Sequence, residues 1–238
     1  MNSLAPVILF VYNRPMHMRK TLEALCKNAL AKDTLLYIVS DGPKPGDEDL
    51  VLQVREIARH TAGFREVVLL EREDNWGIEK SETEAITDII GRHGKMIALE
   101  DDILVNEGFL HYMNRALDLY REKKQVYYIT GYNYMEKKRR GLPQTFFLRV
   151  PSIWGWATWQ DRWAQFEASP GDLSILQNDR KMQKRFNCEN GCRWFKMLTD
   201  QMREGQGLTW DICWYWTVFK NNGLVLYPRE TMTINHGL

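Results

Sequence analysis

Met96-Ile97-Ala98-Leu99-Glu100-Asp101-Asp102-Ile103-Leu104-Val105 joins an apolar run to three consecutive carboxylates. The run reads as a buried strand, and the acids stand just past the end of its hydrophobic part. Carboxylates this close repel one another. They hydrogen-bond outward to solvent, share a proton, or hold a hard cation such as Mg²⁺ or Mn²⁺ that itself carries phosphate. In open α/β sheets ligands sit in the crevice beyond the carboxyl ends of the strands, which is where Glu100, Asp101 and Asp102 fall. A solvated turn, or the N-cap of the next helix, is the competing account of an isolated acidic triplet.

Upstream, strand and helix patterns alternate. Residues 6–12 form a β-branched and aromatic run that stops at Asn13-Arg14-Pro15, and Met18, Leu22, Leu25 and Ala29 then mark an amphipathic helix. Residues 35–40 are a second apolar run, stopped by Asp41-Gly42-Pro43-Lys44-Pro45-Gly46, and Val51, Val54 and Ala58 predict a helix after it. A third strand over 66–70 leads to a helix carrying Ile78, Ala85, Ile86, Ile89 and Ile90. The acidic strand is the fourth. Such alternation predicts a parallel sheet with right-handed crossovers, a doubly wound nucleotide-binding half.

Downstream, Asn106 is the expected N-cap of a helix with Phe109, Leu110, Met113, Leu117 and Tyr120, and a strand covers 126–130. The basic stretch Glu136-Lys137-Lys138-Arg139-Arg140-Gly141 reads as a solvated turn, with acidic lipid headgroups or an anionic acceptor as its alternative partners. A short strand over 145–150 precedes a tryptophan-dense segment, 152–163. Such a cluster packs as core or offers platforms on which sugar rings stack, and Gly155 permits close backbone approach. Residues 170–206 are polar and helical in outline. Trp210-Asp211 opens a helix whose Ile212, Tyr215, Trp216 and Phe219 share a face. A last strand covers 224–227, and the polar tail after it predicts a loop that continues past Leu238.

At 238 residues, 44% hydrophobic and 26% charged, the chain has the composition of a soluble globular protein of one large α/β domain or two small ones. Lys plus Arg number 32 against 31 Asp plus Glu, so no general electrostatic drive toward nucleic acid exists. Cys26, Cys188, Cys192 and Cys213 form no repeated metal pattern and read as free thiols in a reducing cytoplasm. No charged leader with an apolar core and no long apolar run is present, so a cytoplasmic location is expected, peripheral to the inner membrane face if the basic stretch meets lipid.

Taken in order, the chain carries an Arg after the first strand, an Asp after the second, the acidic triplet, a Gly-Trp segment and then Trp-Asp. This order resembles the GT-A glycosyltransferases, and more closely the bacterial family-2-like sugar transferases and the Golgi N-acetylglucosaminyltransferase that begins complex N-glycans. Residues 7–14, 38–41, 75–77, Glu100-Asp101-Asp102, Gly155-Trp156, Trp210-Asp211 and 227–233 carry the match. It implies a single GT-A domain over 1–238: a Rossmann-like, mixed and mostly parallel sheet flanked by helices. Residues 1–105 would be the nucleotide-sugar half and residues 106–238 the acceptor half.

The resemblance implies that Asp102 ligates Mn²⁺ or Mg²⁺ while Glu100 and Asp101 hydrogen-bond the donor sugar and ribose. A hard cation with oxygen ligands neutralises a leaving diphosphate without a proton donor, which suits these residue types. Arg14 matches an arginine that meets the diphosphate, and Asp41 an aspartate that reads the base. Local sequence alone leaves Asp41 equally a turn-former before Gly42. Asp211 matches the catalytic base of an inverting transfer, with Asp161 as second candidate; a plain N-cap is the other account of Asp211. Lys80 and Ser81 replace a donor-contacting histidine of the Golgi enzyme, so the donor base and sugar need not be the same. His236 would add a metal ligand, as C-terminal histidines do in some GT-A enzymes.

The expected activity is therefore metal-dependent transfer of a hexosyl or N-acetylhexosaminyl group from a nucleotide diphosphate sugar to a glycan or lipid-linked acceptor, as in bacterial polysaccharide biosynthesis. Trp154, Trp156, Trp159 and Trp210 are the candidate stacking surfaces. The alternatives are a sugar nucleotidyltransferase, which would carry a glycine-rich loop where Tyr12-Asn13-Arg14-Pro15-Met16 has none, and a catalytically silent carbohydrate-binding module. A dinucleotide-dependent oxidoreductase is disfavoured, because no G-x-G-x-x-G follows the first strand.

Overall fold

Two faces of one sheet, each buried under helices, organise the protein. The structure, a computed structural model, describes residues 3–134, 141–150, 152–169, 171, 173–204 and 208–237. In chain order, β1 (Val7–Val11), α1 (Pro15–Cys26), β2 (Leu35–Ser40), α2 (Glu48–Arg59), β3 (Glu66–Glu71), α3 (Ile78–His93) and β4 (Lys95–Glu100) build the first half. There follow β5 (Ile103–Val105), α4 (Phe109–Tyr120), β6 (Val126–Thr130), β7 (Thr145–Leu148), β8 (Trp156–Trp159) and α5 (Gln160–Trp163). Helices α6 (Ser174–Asn178), α7 (Arg180–Phe186), α8 (Trp194–Glu204) and α9 (Trp210–Lys220) then lead to β9 (Leu224–Pro228) and β10 (Thr233–Asn235).

The main sheet has the order β3-β2-β1-β4-β8-β6-β9-β7, and β5 pairs β10 in a separate ribbon. Strands β1 to β4 are parallel, as expected for βαβ crossovers. Alternate residues of these strands divide between two cores. Val7, Leu9, Leu36, Ile38, Ile97 and Leu99 pack with α1, α2 and α4, whereas Ile8, Phe10, Tyr37, Val39, Met96 and Ala98 pack with α3 and α9. Burial on both faces explains why the strands read as continuous apolar runs. On the outer side of α9, Ile212, Tyr215, Trp216 and Phe219 form a third core with α6, α7 and α8.

Three features differ from the sequence expectation. The segment Trp156–Trp159 is a strand, wedged antiparallel between β4 and β6, with Ala98 opposite Trp156 and Lys95 opposite Trp159. Gly108 rather than Asn106 occupies the N-cap of α4; the Asn106 side chain instead accepts the Gly108 N–H at 3.0 Å, closing the turn that enters the helix. The 145–150 strand ends at Leu148. The basic stretch 136–140 lies outside the described residues. No helix among the described residues is long and apolar enough to cross a membrane.

Because β8 runs opposite to β4, it leaves the sheet at the end where β4 begins. Asp161 is carried there with it, paired to Lys124 at 2.7 Å and to Arg162 at 2.7 Å. Arg162 is buried and donates to the carbonyls of Val126, Tyr120 and Arg121. Replacing it strands those acceptors, so Arg162→Met should cost about 3 kcal/mol of stability in urea unfolding, against about 1 kcal/mol or less for Asp161→Asn. Equal losses for the two variants would show that the ion pair, and not the carbonyl cluster, is what Arg162 secures.

Candidate functional site

Helix α1 is aimed at the acidic end of β4. Pro15 begins it, at a position where a missing N–H costs nothing. Arg14, His17 and Thr21 are spaced three and four residues apart and share one face. Arg14 Nη1 donates to Asp102 Oδ2 at 2.9 Å, Nε reaches Asp101 Oδ2 at 3.4 Å, and Nη2 also bonds Asp101. Thr21 Oγ1 donates to the Asp101 carbonyl at 2.7 Å. The expected diphosphate-binding arginine is thus engaged with the two aspartates. With its side chain 40% exposed, N–H groups remain for an anion.

Asp101 and Asp102 are only 2% and 6% exposed. Burial pushes Asp101 upward from the usual carboxylate range, opposed by Arg14. Burial, with Asp102 and Asp101 adding to it, pushes Glu100 up to about 7. Arg14 keeps its charge because Asp101 and Asp102 outweigh its own desolvation. One guanidinium therefore faces three acids, and negative charge is left over.

The β5–β10 ribbon brings the chain's tail to this point. Thr233, Ile234 and Asn235 face Val105, Leu104 and Ile103, and one pair further His236 N–H donates to the Asp102 carbonyl at 3.0 Å. Gly237 packs so closely on Asp102 that a Cβ there would sit 2.3 Å from Oδ2. Asp102 Oδ1 and His236 Nε2 are both buried without a hydrogen-bond partner. Burial and the neighbouring His17 and Lys20 lower the His236 pKa, which favours the neutral, ligating imidazole. Two orphaned donors on residues joined by that main-chain bond, one carboxylate oxygen and one imidazole nitrogen, suit by type a divalent cation whose other ligands are phosphate oxygens and water. Among the described residues no group of three or more His, Cys, Asp or Glu is arranged to hold a metal by itself.

A cavity of 270 Å³ opens beside the acids, lined among others by Tyr12, Asp41, Asn75, Glu82 and Glu100. Asp41 lines it, but its carboxylate accepts the N–H groups of Gly42 at 3.0 Å, Trp76 at 2.9 Å and Gly77 at 2.8 Å. Three of its roughly four acceptor positions are spent on tying β2 to the loop before α3. Lys80 lies over the Trp76 ring, 4.2 Å from its centroid, and is not part of the cavity's lining.

Across α3 stands the start of α9. Glu79 accepts the Trp210 N–H, and the Trp210 side chain hydrogen-bonds Glu82. Glu82 is buried; burial, with Glu100 adding, holds its carboxyl well above the usual range. Asp211 follows Trp210 in the first turn of α9, where dipole and N–H groups favour a carboxylate. It lines a second cavity, of 200 Å³, with Tyr134, Trp154, Trp194 and Met197. Its charge is felt at Glu79, Glu82 and Glu100 alike.

The structure thus brings together Arg14, Asp41, Glu100, Asp101, Asp102 and His236, sets Asp211 next to them, and leaves Asp161 at the opposite end of the sheet. Of the candidate stacking tryptophans, Trp156, Trp159 and Trp210 are core residues; Trp154 alone lines a cavity. Sequence reading missed His17 and Thr21, although their helical spacing from Arg14 was visible. It also missed Glu79 and Glu82, whose positions on the first turns of α3 signal nothing until α9 is packed against them.

No family model matches the chain, and no curated protein matches it. Solved structures do. Staphylococcus aureus TarS, residues 1–349, is 16% identical with a TM-score of 0.50 over 96% of this chain and 58% of that one. An active-site mutant of LgtC is 10% identical, with a TM-score of 0.47 over 93% of this chain and 72% of that one. The mannosyltransferase PcManGT from Pyrobaculum calidifontis, in complex with GDP-Man and Mn²⁺, is 17% identical with a TM-score of 0.39, over 58% of this chain and 36% of that one. The chain thus spans 36% of the mannosyltransferase and 58% of TarS 1–349. At this identity the TarS likeness shows the fold: the mixed, mostly parallel sheet of the GT-A glycosyltransferases. The GT-A part of the resemblance is borne out, and the closer one to the Golgi enzyme is not supported.

Glu82 offers a test of the buried site. Its native carboxyl retains a proton that the unfolded chain releases as pH passes the ordinary carboxylate range, so its contribution to stability is lost as pH rises beyond that. Glu82→Gln keeps an acceptor for Trp210 and cannot ionise. Its Tm should rise relative to wild type as pH is raised above about 5, by at least about 2 °C overall in calorimetry. A pH-independent difference would contradict the burial of a neutral acid there.

Proposed function

We propose that the protein is a metal-dependent, inverting glycosyltransferase that moves a hexosyl or N-acetylhexosaminyl group from a nucleotide diphosphate sugar to a glycan or lipid-linked acceptor. The observation that carries this reading is a pair of cavities, one lined by Glu100 and Asp101 at the end of β4 and the other by Asp211 at the start of α9, linked by Glu82, which lines the first and hydrogen-bonds Trp210 beside Asp211. The first takes the donor and the second the acceptor.

On the donor side, Asp102 Oδ1 and His236 Nε2 would hold Mn²⁺ or Mg²⁺. When bound, the ion supplies charge neutralisation at the diphosphate. Arg14 presents its remaining N–H groups to the same phosphates, and a planar guanidinium suits that geometry. Glu100 and Asp101 accept from sugar and ribose hydroxyls, and the remaining acceptor position of Asp41 reads the base. On the acceptor side, Trp154, with Tyr134 and Trp194, offers apolar faces for a sugar ring. The acceptor hydroxyl oxygen attacks the anomeric carbon, and Asp211 takes its proton as the new bond forms. The anomeric carbon–oxygen bond to phosphate breaks, and the nucleoside diphosphate leaves with the electron pair. Attack from the face opposite the leaving group inverts the anomeric centre. Asp161, at the far end of the sheet, takes no part.

Steady-state release of nucleoside diphosphate tests the assignment. Asp211→Asn should lower kcat by about 10²- to 10⁴-fold, with nucleotide affinity unchanged, while Asp161→Asn turns over at the wild-type rate. Wild-type turnover by Asp211→Asn would remove the base from the mechanism.

A further inference from the structure

The unpartnered His236 ring raises a question of its own: what holds it. It lies beyond the last β10 pair, and its own backbone bond fixes the main chain but not the imidazole. A free ring at such a position samples several rotamers, and a ligand that must be ordered on binding loses affinity by that amount. The neighbouring ring is that of His17. The two centroids are 4.8 Å apart with an interplanar angle of 19°, a stacked pair.

We propose that His17 is a positioning residue for His236, setting the imidazole face-on so that its Nε2 stays free for the cation. This inference rests on the metal assignment made above. Stacking is suited to the task because it grips a ring by its face. A hydrogen bond to Nε2 would consume the lone pair that ligation needs. His17 is also rigidly placed: it lies on α1 one turn after Arg14 and one turn before Thr21, both of which grip Asp101. One helix face therefore sets the position of the acidic strand end and of the tail imidazole together. The spacing that couples them is Arg14, His17, Thr21.

The test uses Mn²⁺ alone, followed as loss of its free six-line EPR signal, on the full chain. His17→Ala should weaken Mn²⁺ binding about tenfold, the usual cost of removing a group that orients a ligand. His17→Phe keeps a flat face with no nitrogen, and should restore affinity to within about threefold of wild type. In the His17→Ala, His236→Ala double variant the loss should equal that of His236→Ala alone, because the two act as a unit. In the metal-free protein, the His236 ring resonances should shift in His17→Ala and not in a His60→Ala control, at an exposed histidine just past the end of α2. Unchanged Mn²⁺ affinity in His17→Ala overturns the proposal while leaving the metal assignment standing. Failure of His17→Phe to bind better than His17→Ala overturns it as well, since His17 would then act through its nitrogens. Absence of Mn²⁺ binding by the wild type overturns the metal assignment and this inference with it.

Discussion

Three carboxylates end a strand that is buried on both faces, and the surrounding structure is arranged to keep them there. At an effective dielectric near 20, two like charges about 4 Å apart repel by about 4 kcal/mol, so an unrelieved triplet would splay the strand end or take up protons. Arg14 supplies one positive charge, placed by the proline that starts α1, and Thr21 ties down the backbone at Asp101. That leaves the site still short of positive charge. The Glu100 carboxyl is driven up to about 7, by burial first and by its two acidic neighbours after it. A phosphate-bearing divalent cation is the kind of ligand that relieves such a deficit, and Asp102 Oδ1 and His236 Nε2 lie ready without partners.

The antiparallel strand β8 gives the site its second half. By entering at the end where β4 finishes, it delivers Trp154 and Gly155 beside the acids. Gly155 adopts a φ of +75°, and a Cβ there would meet Thr233 Cγ2 at 2.8 Å, so the close approach of the tail requires glycine. By leaving at the other end it carries Asp161 away. Trp156 and Trp210, stacked 5.6 Å apart, are buried core residues. Glu79 and Glu82 tie Trp210 to α3, which fixes the start of α9, and Asp211 with it, against the helix that lines the first cavity.

Much of this was legible in the sequence because its signals are local. The β-branched runs at Val7–Val11 and Leu35–Ser40 and the apolar spacings of the first helices report double-sided burial, and they located β1 to β4; the GT-A arrangement rested on the resemblance carried by the ordered motifs. The acids were legible as well, since a charged triplet after an apolar run has few explanations. What escaped was set by tertiary partners. A four-residue run of Trp-Ala-Thr-Trp signals aromatic burial before it signals a strand, and nothing in it says which neighbours it joins. The three-residue strands β5 and β10 pair across 128 to 132 positions of chain, from Val105–Thr233 to Ile103–Asn235, and neither carries a pattern of its own. Asp161 failed as a candidate because the direction of β8 was hidden, and Lys80 because its partner, Trp76, lies on the preceding turn.

The most direct measurement is calorimetric titration of the wild type and of Asp102→Ala with UDP, GDP, CDP and dTDP, each with and without Mn²⁺. The central claim, that the acidic end of β4 is a cation-dependent diphosphate site, predicts that one nucleotide binds the wild type only when Mn²⁺ is present and that Asp102→Ala abolishes this binding. Nucleotide binding that is indifferent to Mn²⁺, or that survives in Asp102→Ala, would contradict it.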